Sequence, residues 1–119
     1  MKIVKNLIFG IILIFLLSCT NTKEADLVSV PCTDEFTYTD CVKTIIDNNC
    51  IICHNSNLNA LGPFPLETYE QVKEKTQNGN ILARIQLPDG ANGIMPQTGK
   101  MSQANIDVIV TWANKGFLE

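Results

Sequence analysis

The apolar positions of this 119-residue chain form one unbroken block followed by several short periodic runs. The block runs from Leu7 to Leu17, relieved only by Gly10, and it follows Lys2 and Lys5. A spanning helix needs roughly 20 apolar residues, and here a strongly polar stretch arrives first, so the block reads as the core of an export signal. From Thr20 to Thr37 no period is sustained and Pro31 interrupts, which predicts a tether and an irregular lead-in. Val42, Ile45, Ile46 and Asn49 then fall at helical spacing and predict a short amphipathic helix over Tyr38 to Asn48, running directly into Cys50.

Residues 55–66, with Asn, Gly and two prolines, read as an irregular loop. Thr68-x-x-Gln71 matches a capping box that opens a helix with Tyr69, Val72 and Thr76 on one face, and Asn78-Gly79 ends it. Asn80 is placed to cap a further short turn through Ile81, Leu82 and Ile85, after which Pro88-Asp89-Gly90 and Asn92-Gly93 make another loop. The last helix is the clearest. Ser102 caps it, Ile106, Ile109, Val110, Ala113 and Phe117 mark its apolar face, and Lys115-Gly116 close it.

No stretch alternates with period two for more than four residues, so the fold class is all-α, three to four short helices separated by long loops. The expected division is an export signal over 1–18, a tether over 19–37 and a folded domain over 38–119. A helical domain this small, with Gly/Pro-rich connections, needs a covalent clamp or a bound cofactor to gather around.

Losing residues 1–18 removes two of the nine basic residues and none of the twelve acidic ones, taking the net charge from −3 to −5. That balance argues against a nucleic-acid partner. The signal exits through Leu16-Leu17-Ser18-Cys19, which resembles the lipobox of bacterial lipoproteins. The resemblance implies cleavage before Cys19, lipidation of that cysteine, and a soluble domain tethered in the cell envelope, periplasmic or on the outer face of a membrane.

Cys50-Ile51-Ile52-Cys53-His54 is C-x-x-C-H, which reads as a c-type haem attachment site. Two thiols at this spacing add across the two porphyrin vinyl groups, and the histidine that follows is the proximal iron ligand. Duller readings fit less well. A redox C-x-x-C sits in a βαβ setting, absent here. A zinc site recruiting Cys32 and Cys41 would need closer spacing between them, and a plain Cys50–Cys53 disulfide leaves His54 unexplained.

With one histidine in the chain, the remaining side chain best suited to a low-spin iron is methionine. Met95 lies in Asn92-Gly93-Ile94-Met95-Pro96, a turn-rich loop that presents its sulfur from backbone expected to pack nowhere else, with Pro96 holding it extended. Met101 precedes the Ser102 cap and has a structural reason of its own, a hydrophobic staple with Ile106. Met95 is the expected ligand and Met101 the reserve.

The order of helix, Cys50-x-x-Cys53-His54, Gly62-Pro63, middle helices, Met95-Pro96 and a C-terminal helix with Trp112 resembles the class I c-type cytochromes, over about residues 38–118. The resemblance implies a small cytochrome c-like fold around one covalent haem c per chain. It places Cys50 and Cys53 on the vinyls, His54 and Met95 on the iron, and the Pro63 carbonyl, with Pro65 also in reach, on the second ring nitrogen of His54. Arg84 is either a propionate partner or a solvated charge. Trp112 and Tyr69 either line the haem pocket or pack in the core. Cys32 and Cys41 are candidates for a disulfide in an oxidising compartment.

The function expected is one-electron transfer without bond-changing catalysis, with an oxidase, reductase or dehydrogenase as redox partner and the lipid anchor as membrane partner. The alternative is a haem peroxidase or gas-sensing domain with a labile sixth ligand, which needs distal acid–base groups. No second histidine exists, and no glutamate or arginine stands near Met95 in the sequence. A third reading, a non-redox anchoring subunit with a structural haem, also stays open.

Overall fold

The computed structural model describes residues 32, 35–57 and 61–119. The signal over 1–18, Cys19 and most of the tether lie outside them. The described residues are all-α, with no strand among them. A π-helical turn, Tyr38–Val42, leads into α1 (Lys43–Asn49), followed by α2 (Tyr69–Gln77), α3 (Asn80–Ile85) and α4 (Gln103–Asn114). Among the described residues no helix is long and apolar enough to cross a membrane.

Local chemistry explains the boundaries. Thr37 accepts from the Asp40 amide at 3.1 Å and starts the π-helical turn. At α2 the capping box is complete: Thr68 accepts from the Gln71 amide, and the Gln71 side chain accepts from the Thr68 amide at 3.1 Å. The start of α3 differs from expectation, since its N-cap is Gly79 and Asn80 is already helical. The Asn78-Gly79 turn needs a positive φ, here 76°, which glycine supplies without steric cost, and the helix resumes at once. Ser102 caps α4 as expected, accepting from Asn105 at 3.2 Å. The face of α4 rotates slightly: Ile106, Ile109 and Trp112 are its buried residues, while Val110 and Ala113 are half-buried.

One apolar core joins the elements. Val42, Ile45 and Ile46 meet Val72 of α2, Ile81 and Ile85 of α3, and Ile106, Ile109 and Trp112 of α4. Thr76, buried in the same region, donates its hydroxyl to the Val72 carbonyl at 2.7 Å, so it costs little there.

The two ends of the domain are fastened by aromatic packing. Trp112 sits 5.9 Å from the Tyr38 ring, 6.4 Å from Tyr69 and 5.0 Å edge-on from Phe117, centroid to centroid. Beyond α4 the chain hooks back over residues 116–118. The Leu118 carbonyl accepts from the Trp112 indole at 2.7 Å and from the Tyr38 amide at 2.8 Å, and the Phe117 carbonyl accepts from the Tyr69 hydroxyl at 2.7 Å. Each aromatic pair adds about 0.5–1.5 kcal/mol beyond burial, which offsets the left-handed backbone at Phe117, φ 62°.

Candidate functional site

Residues 50–54 continue the rotation of α1. The Cys50 amide donates to Ile46, and the Cys53 and His54 amides donate back to the Cys50 carbonyl at 3.1 and 2.9 Å. Positions three and four apart on such a turn share one side, so Cys50, Cys53 and His54 are brought to one cavity. Burial, and then the neighbouring Cys53, push the Cys50 thiol up to about 11. At neutral pH it therefore keeps its proton and is a weak nucleophile.

His54 is oriented by the loop that follows. Its Nδ1 lies 3.0 Å from the Phe64 carbonyl, and the rings of His54 and Phe64 are 5.0 Å apart at 34°. A carbonyl only accepts, so Nδ1 carries the proton and Nε2 keeps the lone pair that a metal would take. Here the sequence expectation is corrected: the carbonyl behind His54 is that of Phe64, neither Pro63 nor Pro65. The reason is Gly62. A Cβ on Gly62 would fall 2.6 Å from Nδ1 and 2.8 Å from the Cys53 carbonyl, so the bare glycine lets the imidazole settle against the loop, where Phe64 is the carbonyl it meets. Pro63 lines the cavity instead. The loop is pinned by the Leu66 amide on the His54 carbonyl at 2.9 Å and the Ser56 amide on the Glu67 carboxylate at 3.2 Å.

Met95 lines the same cavity as Cys50, Cys53 and His54. Its loop is anchored, contrary to the expectation of backbone that packs nowhere: Ile94 is 7% exposed, and the Met95 amide donates to the Arg84 carbonyl at 3.3 Å. The Arg84 guanidinium reaches the Gly93 carbonyl at 3.5 Å. Arg84, a propionate partner or a solvated charge by sequence, lines the cavity, and sequence distance hid its place beside the Met95 loop. Met101 is buried in the core cluster with Ile106, as the staple predicts. Trp112 and Tyr69 belong to the aromatic junction and do not line the cavity.

The cavity measures about 740 Å³, within the ~300–1,000 Å³ usual for cofactor sites. Ile81, Ile85, Phe64 and Leu66 give it apolar walls. Ile52 and Leu61 stand at its rim, 73% and 64% exposed. Its polar lining comes from Asn49, Asn80, Arg84, Asn92, Gln97 and Thr98, with no carboxylate among the described residues.

This donor set fits a haem: two thiols on one turn, an imidazole with Nε2 available and a thioether lining the same apolar cavity. Among the described residues no group of three or more His, Cys, Asp or Glu side chains gathers to hold a bare ion, so the four-ligand zinc arrangement is not assembled. Comparison of the chain with protein-family models, curated proteins and solved structures finds no match.

Proposed function

We propose that this chain is a monohaem c-type cytochrome, a one-electron carrier of cytochrome c-like fold, exported and lipid-anchored through Cys19. The single observation that carries the reading is the convergence of Cys50, Cys53, His54 and Met95 on one apolar cavity, with His54 Nδ1 held by a backbone carbonyl. When bound, the haem supplies an iron that passes between ferrous and ferric states, and the protein is an electron-transfer protein, not an enzyme.

The chain's own residues do four things. Cys50 and Cys53 are the attachment thiols. His54 offers Nε2 with its tautomer fixed by Phe64. Met95 offers a soft thioether that favours the reduced metal. The apolar walls of Ile81, Ile85, Phe64 and Leu66 would pack on the faces of a bound group. The exposed rim side chains Ile52 and Leu61 are accounted for by an apolar group seated beside them.

The peroxidase or gas-sensor alternative gains Arg84 beside Met95, but the chain holds no second imidazole and no carboxylate lines the cavity among the described residues. The test is co-expression with a c-type maturation system. Pigment is expected to stay with the acid-extracted, denatured polypeptide, and the oxidised protein to show a far-red sulfur-to-iron band. Pigment that leaves with the solvent, or high-spin features with ready carbon monoxide binding, removes the carrier reading.

A further inference from the structure

The four cysteines among the described residues sort into two pairs. Cys50 and Cys53 belong to the cavity. Cys41 is fully buried in the π-helical turn, and Cys32, from the irregular lead-in, packs on the same core. Burial first, then the neighbouring Cys41 and Asp40, push the Cys32 thiol up to about 12. Neither Cys32 nor Cys41 lines the cavity.

We propose that Cys32 and Cys41 close a disulfide in the exported protein, clamping the lead-in to the first helical turn and leaving Cys50 and Cys53 as the thiols available for covalent attachment. Both side chains pack in the same core cluster, which places Cys32 on the side of the turn where an S–S bond of about 2.05 Å to Cys41 would form. Mispairing is opposed by the helix itself. Nine residues of helix place Cys41 roughly 13 Å from Cys50, beyond the ~7 Å between Cα atoms that a disulfide tolerates.

The chemistry balances as a two-electron oxidation. Two S–H bonds break, one S–S bond forms and two protons leave to solvent, while the two electrons reduce a disulfide oxidant to its dithiol, a thiol oxidase protein in the cell or oxidised glutathione in a tube. The inference goes beyond the haem reading and does not rest on it.

Trypsin separates the pairs, because no Lys or Arg lies between Lys23 and Lys43 or between Lys43 and Lys73. Residues 24–43 carry Cys32 and Cys41, and residues 44–73 carry Cys50, Cys53 and His54. The full chain is exported with a c-type maturation system, alkylated under denaturing conditions without reductant, digested and weighed. A parallel sample made in the cytosol is refolded in a glutathione redox buffer, so that the pairing is read even if export fails. The expected result in both is a 24–43 peptide two hydrogens lighter than the dithiol, which takes two alkyl groups only after reduction. Alkylation of both residues without reduction, or either one linked to 44–73, overturns the proposal. Haem retention is scored on 44–73, so the two readings fail separately. Cys32→Ser is expected to unfold at a lower temperature than the parent without reductant and at a similar temperature with it. A difference that persists unchanged in reductant would show packing rather than a clamp.

Discussion

The aromatic junction and the cavity are opposite solutions to the same shortage of core. At the junction Trp112, fully buried, meets Tyr38, Tyr69 and Phe117, and three donors from three elements end on two carbonyls of the C-terminal hook. Every part of that region is completed by protein atoms. At the cavity, two apolar side chains stand exposed, two thiols share one turn, and an imidazole is oriented from behind with its far nitrogen uncommitted. A small domain buries a smaller fraction of its surface than a large one, so an open apolar cavity weighs more heavily on it. The junction is built for stability, and the proposal gives the cavity to a bound group.

The hardest blow to that comparison is removal of the attachment thiols. Cys50→Ala with Cys53→Ala is expected to lose all pigment from the acid-extracted polypeptide, whereas Cys32→Ser keeps it; equal retention in the two variants would separate pigment from the cavity. Next in size is Trp112→Ala, which removes a fully buried ring and the indole donor to Leu118. A loss of about 3–5 kcal/mol is expected in denaturant unfolding of the pigmented protein. The absorption bands of the folded fraction should stay in place, because Trp112 does not line the cavity.

The two methionines test the division more finely. Met101→Ala is expected to cost about 2–5 kcal/mol, as for any buried methionine, and to leave the far-red band intact. Met95→Ala is expected to abolish that band with a smaller change in stability, since Met95 is only half-buried. The reverse assignment would make Met101 the ligand and the staple an accident.

These contrasts also measure what the sequence carries. Helices over 69–77 and 103–114 were legible because capping residues and a 3.6-residue period coincide at Thr68 and Ser102. Cys50, Cys53 and His54 were legible because their chemistry is local, fixed by spacing within one turn. Phe64 was not, because a backbone carbonyl has no side-chain signature and its choice over Pro63 depends on how the His54 ring settles on Gly62. Arg84 was legible as a candidate, but its place beside Met95 was not, because eleven positions separate the two and only the folding of the 86–94 loop returns them to each other. The rotation of the α4 face toward Trp112 reflects the pull of Tyr38 and Tyr69, tertiary partners that periodicity does not contain.

A smaller effect is expected from Gly62→Ala. The added methyl would press on the Cys53 carbonyl and on His54 Nδ1, which is held by the Phe64 carbonyl, so either the ring or the 61–66 loop must shift. Overpacking of this kind costs about 1–3 kcal/mol, and the loosened bond to Phe64 should move the reduction potential of the pigmented protein. A variant with the parent's potential would show that the imidazole is not oriented from this side.

The smallest effect belongs to the junction and appears only in alkali. Burial first, then the negative charges of Asp47 and Glu70, raise the Tyr38 phenol above its usual value. Near pH 10 the unfolded chain releases this proton while the folded chain keeps it, so the folded state binds more protons and unfolding becomes easier as pH rises. The contribution is complete below about pH 10 and is lost progressively as pH climbs toward the folded value. Cys50 and Cys32 are raised as well, but neither titrates once one is a thioether and the other a disulfide. In the pigmented, oxidised protein the slope is therefore expected to fall when Tyr38 is replaced by Phe, with little change near pH 7. Unfolding midpoints for parent and Tyr38→Phe between pH 8 and 11 read it directly. Parallel curves would mean that the phenol is as free to ionise in the folded domain as in the open chain, and that the junction is less closed than its packing indicates.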